Sequence, residues 1–364
     1  MTRAQLLEVE ASRAFEATKR FDELTYFHVP FDELNGDDRT EAALTRLAGY
    51  GDRVAVVGAS GSGKSSLIAS VFGPLSEDLP AHIVPLRVPV AAEDEETVTQ
   101  PGLMARHLVR YVTRWASADR FTRDEKNFFD ETLAESKRRS PSGAVREFSI
   151  GLPVWLARAE FASQVRSAGT DYETRMGAAD AVEALKRMVA LFASHSLYPI
   201  FVFVDSDSWL NIPGLDRSHV ANAFFVKTLR MLSKEIDAGL VIAIHTEYLG
   251  LAGYKASADL LSGEIRVPRL IDARAGIDAI LRDRLVIAEV DTPLHAVFED
   301  EAISWLAKHY ETGRQIRDVL AVTQRSLQHA LSDGLDTVSS PSDSACCSDR
   351  CATAKTSRIC RPVS

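Results

Sequence analysis

Between a β-branched run and an apolar helix-forming run lies Gly58-Ala59-Ser60-Gly61-Ser62-Gly63-Lys64-Ser65, which fits the pattern G-x-x-x-x-G-K-[ST]. These residue types suit a polyphosphate. Glycines let consecutive backbone N–H groups curl around an oxyanion without Cβ clashes, and the helix that follows adds the positive end of its dipole. Lys64 would neutralise the β- and γ-oxygens of ATP, and the Ser65 hydroxyl would coordinate Mg²⁺. Gly58, Ala59, Ser60, Gly61, Ser62, Gly63, Lys64, Ser65 and Ser66 are therefore the candidate nucleotide ligands.

Mg²⁺ beside a phosphate also needs a carboxylate from another element. Ile200-Phe201-Val202-Phe203-Val204-Asp205 is an apolar strand ending in an acid, so Asp205 is the expected metal-side carboxylate, and Asp207 is placed to share or take that role. Hydrolytic enzymes with such a loop commonly set an acid directly after this aspartate, to orient the attacking water. Here that position is Ser206, whose hydroxyl is a poor base. Asp207 and Glu247 are the alternatives for the task.

The elements that must hold these groups are legible as apolar runs. Arg53–Val57, His82–Val90, Ile200–Val204, Leu240–Ile244 and Glu264–Val267 read as strands, most of them continuously apolar. Helical patterns over Ser66–Phe72, Ala181–His195, Ala221–Ile236 and Ala273–Ala288 alternate with them. Strands of this kind alternating with helices predict an α/β fold whose parallel sheet is covered on both faces. Ala4–Lys19 and Arg39–Leu47 read as helices ahead of the first strand, with an extended aromatic stretch, Tyr26–Phe31, between them. Glu93–Glu96 reads as a solvated acidic loop. Residues 101–195 read as a long helical insertion with no convincing strand, ending some way beyond the basic cluster Lys137-Arg138-Arg139. Asp300–His309 and Gln315–Ala330 form a small C-terminal helical lid. The expected domains are an N-terminal helical segment (1–30), the P-loop core (31–290), the lid (291–334) and a disordered tail (335–364).

Composition sets the outer limits. The chain has 364 residues, 46% of them hydrophobic, enough to bury a substantial core. With 42 Lys+Arg against 51 Asp+Glu the net charge is −9, which argues against a protein that coats nucleic acid electrostatically. The longest apolar stretch, Leu197–Val204, is far short of the roughly 20 residues that cross a bilayer. No secretory h-region follows Met1, so the expected compartment is the cytoplasm and no membrane partner is expected. The four cysteines, Cys346, Cys347, Cys351 and Cys360, all lie in the tail, at spacings unlike those of zinc sites, and no metal beyond Mg²⁺ is expected.

On these motifs the chain resembles the AAA+ and STAND-like P-loop ATPases, nearest to their initiator, origin-recognition-like branch, over about Phe31 to Gly334. Arg39, Leu44 and Leu47 are similar to the helix that precedes the family's first strand. The Gly58–Ser65 loop resembles its Walker A motif and Asp205 its Walker B acid. Leu240–Thr246 is similar to the sensor-1 strand, with Thr246 as the polar residue that feels the γ-phosphate. Ile265-Arg266-Val267-Pro268 and Ile280-Leu281-Arg282-Asp283-Arg284 resemble the initiator branch's strand, proline and helix. Gly313-Arg314-Gln315-Ile316-Arg317 resembles the start of the lid helix, which makes Arg317 the sensor-2 residue, with Arg314 second.

The resemblance implies an ATP-driven conformational switch that hydrolyses ATP with Mg²⁺ and reports its state to a protein partner through the lid. Its implied settings are DNA-associated work, or defence and signalling. Two departures qualify it. Ser206 occupies the catalytic-acid position, and Tyr248–Glu264 offers no arginine to a neighbouring subunit, only Lys255. A monomeric or weakly associating switch is therefore expected in place of a ring that hydrolyses in trans. A scaffold that binds nucleotide without hydrolysing it, and a small-molecule kinase, are the competing readings of the same loop.

Overall fold

The computed structural model describes residues 3–17, 21–36, 39–73, 79–90, 95–115, 120–136, 146–150, 161–165, 177–211 and 218–339. In chain order come α1 (Arg3–Ala11), α2 (Phe21–Leu24), α3 (Phe31–Asn35), α4 (Thr40–Gly49), β1 (Arg53–Gly58), α5 (Lys64–Phe72), β2 (Ile83–Pro89) and α6 (Glu95–Thr99). Next are α7 (Pro101–Trp115), α8 (Arg123–Ser136), β3 (Arg146–Ile150), β4 (Phe161–Val165), α9 (Ala178–Ser194) and β5 (Tyr198–Val204). Then α10 (His219–Ala223), a π-helical turn (Phe224–Leu229), α11 (Arg230–Glu235), β6 (Gly239–His245), α12 (Ala252–Lys255) and β7 (Gly263–Arg266) complete the sheet region. Four helices follow: α13 (Ala273–Ile287), α14 (Leu294–Val297), α15 (Asp300–Glu311) and α16 (Ile316–Ser332).

The chain divides into two compact units. The larger, Phe21–His28 with Arg39–Pro268, holds a five-stranded sheet in the order β2-β5-β6-β1-β7. Every pairing in it is parallel. This is the parallel α/β sheet, flanked by helices, that the alternation of strands and helices predicts. Burial follows position. The inner strand β6 is buried at every residue, whereas the edge strand β2 is buried less evenly and carries Pro85 and Pro89, whose missing N–H groups are easily accommodated at an edge. Because β6 lies between β1 and β5, the glycine loop and the acid-bearing strand stand two inter-strand spacings apart, about 10 Å.

The insertion's aromatic side chains extend the core of the sheet. Phe121, Phe129, Phe192 and Trp115 meet edge-on or tilted at centroid distances of 5.1–5.3 Å for the closest pairs, joining α7, α8 and α9. It also contains strands, contrary to the expectation for residues 101–195. β3 and β4 pair antiparallel, Arg146 opposite Val165 through Ile150 opposite Phe161. Strands of five residues leave too short an alternation to stand out in the sequence. Glu95 and Glu96, expected in a loop, open α6 and complement its N-terminal dipole. Among the described residues no helix is long and apolar enough to cross a membrane.

The second unit comprises Met1–Arg20, Val29–Asp38 and Arg269–Ser364. The expected Ala4–Lys19 helix ends at Ala11: Arg13 turns left-handed (φ 56°), and the Ser12 hydroxyl donates to Val9 O and accepts from Ala14 N. Arg284, buried on α13, then donates Nη1 to Ala14 O (3.1 Å) and Glu16 O (3.0 Å), and burial lowers its pKa to about 10. Phe15 packs edge-on against Phe298 at 5.4 Å. Of the stretch expected to be extended, Tyr26 and Phe27 form a turn, residues 28–30 belong to no regular element, with Pro30 extended (φ −57°, ψ 143°), and Phe31 opens α3. Lys137-Arg138-Arg139, Glu93, Asp94 and the four tail cysteines lie outside the described residues.

His107 on α7 carries a pH-dependent share of the stability. Its Nε2 is buried without a hydrogen-bond partner, and burial, reinforced by Arg110 and Arg114, lowers its pKa from 6.5 to about 4. Above pH 6.5 the ring is neutral in both states, so its contribution is fully present. Below that pH the unfolded ring takes up a proton that the folded ring refuses until about pH 4, and stability falls. Denaturant midpoints should show wild type losing about 2 kcal/mol more than His107→Gln between pH 7 and 5. Equal losses would contradict a buried neutral ring.

Candidate functional site

β1 ends at Gly58, and the chain turns through Ala59–Gly63 into α5. Gly61 (φ 81°) and Gly63 (φ 105°) adopt left-handed backbone that side chains disfavour. Gly58 is close-packed: a Cβ there would stand 2.3 Å from Ser62 Oγ, so that hydroxyl would have to turn away. The loop thereby brings peptide groups together at the start of α5, whose first N–H groups have no acceptor within the helix.

Lys64 lies inside this loop, its side chain only 4% exposed. Nζ donates three hydrogen bonds, to Gly58 O, Ala59 O and Asp207 Oδ2, each 2.9 Å long. An ammonium has three N–H donors, and all three are used. Two buried polar atoms in the same region, Ser62 Oγ and Asp207 Oδ1, have no hydrogen-bond partner. Such atoms fit a site that receives an oxyanion and a hydrated cation.

Asp207 reaches Lys64 because of one residue. Asp205, just past the end of β5, is left-handed (φ 69°) and exposed. The turn it makes sends the chain into a short 3₁₀ segment, Ser206–Asn211, in which Ser208 N and Oγ both donate to Asp205 O. Ser206 then points into the sheet, its hydroxyl donating to Ala243 O, and Asp207 turns to the loop. The sequence reading ranked Asp205 ahead of Asp207 on the metal side; the ion pair belongs to Asp207. The reason is local: a left-handed residue at the strand end shifts the facing acid by two positions.

Aromatic side chains hold this turn. Tyr248 donates its hydroxyl to Ser206 O (2.8 Å), and Trp209 donates Nε1 to Val90 O (2.5 Å). The two rings stack at 5.8 Å. Burial first, and the charges of Asp207 and Glu247 after it, push the Tyr248 hydroxyl far above its ordinary range, so it remains a donor.

The other sequence candidates are dispersed. Thr246 and Glu247 are exposed in the turn after β6. The residue in register with Gly58 is His245, buried at the end of β6, its Nδ1 accepting from Glu247 N at 3.2 Å. Thr246, the polar residue expected at the end of this strand, follows His245 directly and opens the turn. Ser65 is half-buried, and Ser66 Oγ lies 3.0 Å from His28 Nδ1, a neighbour the sequence did not indicate. Arg317 and Arg314 belong to the second unit, Arg317 exposed in the first turn of α16 and Arg314 exposed just before it.

Strand, glycine loop, helix and facing acid on a parallel sheet define a P-loop NTPase fold. No protein-family model matches the sequence, and no curated protein matches it. Among solved structures the chain is similar to the Aeropyrum pernix ORC2 protein in its ADPNP–ADP complexes, with 13% identity and a TM-score of 0.45, over 86% of this chain and 68% of that one. The ADP form of the same protein aligns with 12% identity and a TM-score of 0.45, over 86% and 69%. A likeness at this level assigns no activity. The functional reading rests on the geometry of the loop.

Lys64 and Asp207 are joined across a poorly solvated contact, 4% and 24% exposed. A double-mutant cycle of Lys64→Met and Asp207→Asn, on nucleotide-free protein, should give a coupling of about 1–3 kcal/mol in unfolding free energy. Additive losses would show that the two side chains do not meet.

Proposed function

We propose that the protein is a Mg²⁺-dependent ATP-binding switch that hydrolyses ATP. The observation that carries this reading is Lys64, buried among loop carbonyls at the head of α5 and paired with Asp207. Phosphate oxygens would replace the two carbonyls and the carboxylate as its acceptors. Asp207, released from the lysine, would hold hydrated Mg²⁺, and the Ser65 hydroxyl would supply a direct oxygen ligand. Among the described residues no group of three or more His, Cys, Asp or Glu side chains could hold a metal ion. Mg²⁺ would therefore arrive with the nucleotide, its coordination completed by phosphate and water.

Hydrolysis needs a group to orient water. Ser206 is withdrawn from that role, because its hydroxyl is committed to Ala243 O. Asp207, Asp205 and Glu247 are the carboxylates left near the two strand ends, and Thr246, just past the end of β6, would feel the γ-phosphate. The withdrawal of Ser206 favours a second reading, a scaffold that binds nucleotide and hydrolyses it slowly or only with a partner. In either case Arg317 would sense the γ-phosphate, and the C-terminal helices would report nucleotide state to a protein partner in the cytoplasm. DNA-associated work, defence and signalling are the settings such a switch suits.

The test is ATP binding and Mg²⁺-dependent phosphate release by the purified protein. Lys64→Ala should abolish binding or weaken it at least about 100-fold, as loss of a buried charge-assisted contact to phosphate implies. Asp207→Ala should lower turnover much more than binding, and more than Asp205→Ala does. Near-normal affinity in Lys64→Ala would overturn the reading. Tight binding without release would select the scaffold.

A further inference from the structure

His28 lies outside every motif in the sequence, yet its side chain is only 6% exposed. Nε2 stands 2.8 Å from Glu41 Oε1 on α4, and Nδ1 stands 3.0 Å from Ser66 Oγ on α5. An ionised carboxylate only accepts, so Nε2 carries a proton directed at Glu41. In the neutral ring Nδ1 then accepts from the Ser66 hydroxyl, which holds that rotor in one direction. Ser66 follows the proposed Mg²⁺ ligand Ser65 by one residue and lies in the first turn of α5, where unsatisfied N–H groups would face an anion bound at the loop.

The same segment grips α5 a second time. Thr25 donates Oγ1 to Ala69 O at 3.1 Å, about one turn beyond Ser66. Residues 25–28 therefore hold successive turns of the helix that carries the lysine, and Glu41 ties the histidine to α4.

We infer that His28 is a positioning residue for nucleotide binding, which, anchored by Glu41, presets the Ser66 side chain and the first turn of α5 for the phosphates. The inference rests on the nucleotide-binding reading above. Its physical basis is preorganisation: a group already held in its bound direction loses less freedom when the ligand arrives.

The test compares ATP dissociation constants, measured calorimetrically with Mg²⁺, for wild type, His28→Ala, Ser66→Ala and the double variant. Nucleotide-free melting temperatures are recorded beside them, and Lys64→Ala is the control. His28→Ala should weaken ATP about 3- to 10-fold, the range set by one uncharged hydrogen bond. The double variant should bind no more weakly than the worse single variant, because one contact is lost either way. Glu41→Ala, which removes the anchor and keeps the ring, gives the same reading if His28→Ala does not fold. A lower melting temperature with unchanged ATP affinity, or additive losses in the double variant, would overturn the inference. If wild type binds ATP through Lys64 but ignores His28, the inference alone falls. If wild type binds no ATP, the proposed function falls with it.

Discussion

A cation taken out of water must be surrounded by acceptors, and the Lys64 ammonium is the group to which the site of this protein is fitted. Desolvation of a charge costs several kcal/mol unless hydrogen bonds replace the lost water. Gly58 and Ala59 supply two carbonyls because the loop folds back over the lysine, and Asp207 supplies the opposite charge. Each acceptor imposes a demand on the chain. The loop that presents the carbonyls turns on left-handed Gly61 and Gly63 and leaves little room at Gly58, and the carboxylate follows a chain reversal at Asp205. The same three acceptors are ones a polyphosphate can displace without leaving the lysine unpaired. On the proposed function, structural stability and ligand capture would draw on a single group.

The acid side of the pair is held from behind. Trp209, Tyr248, Phe224 and Phe225 pack together beneath the Ser206–Asn211 segment, with Phe224 5.2 Å from Trp209 and Phe225 6.4 Å from Tyr248. Phe224 and Phe225 open the π-helical turn Phe224–Leu229, and both are buried. Phe225 also meets Tyr254, and its carbonyl accepts from the Ser257 hydroxyl. The segments after β5 and after β6 therefore share one aromatic core. Tyr248, from the turn that carries Thr246 and Glu247, is tied by its bond to Ser206 O to the segment that carries Asp207.

Much of the fold was legible because burial on two faces forces continuous apolar runs. All five strands of the main sheet fall within two residues of their predicted ends, and the Gly58–Ser65 loop sits where a strand and a helix bracket it. What escaped was conformation rather than composition. A left-handed Asp205 moved the facing acid to Asp207, and nothing in the residue types distinguishes the two. The left-handed Arg13 ended α1 although the apolar spacing ran on, and Arg284 then claimed the carbonyls that the ended helix released. β3 and β4 were too short to show a period. His28 and His245 were invisible for another reason: each gains its place from a partner distant in sequence, Ser66 and Gly58 respectively.

The most direct measurement is a crystal structure with Mg²⁺ and a non-hydrolysable ATP analogue, read at Lys64. The expected result has Nζ on the β- and γ-phosphate oxygens, the Ser65 hydroxyl on the metal, and Asp207 turned from the lysine toward the hydrated ion. An analogue bound elsewhere, with Lys64 still paired to Asp207 and to the carbonyls of Gly58 and Ala59, would contradict a phosphate site at this loop.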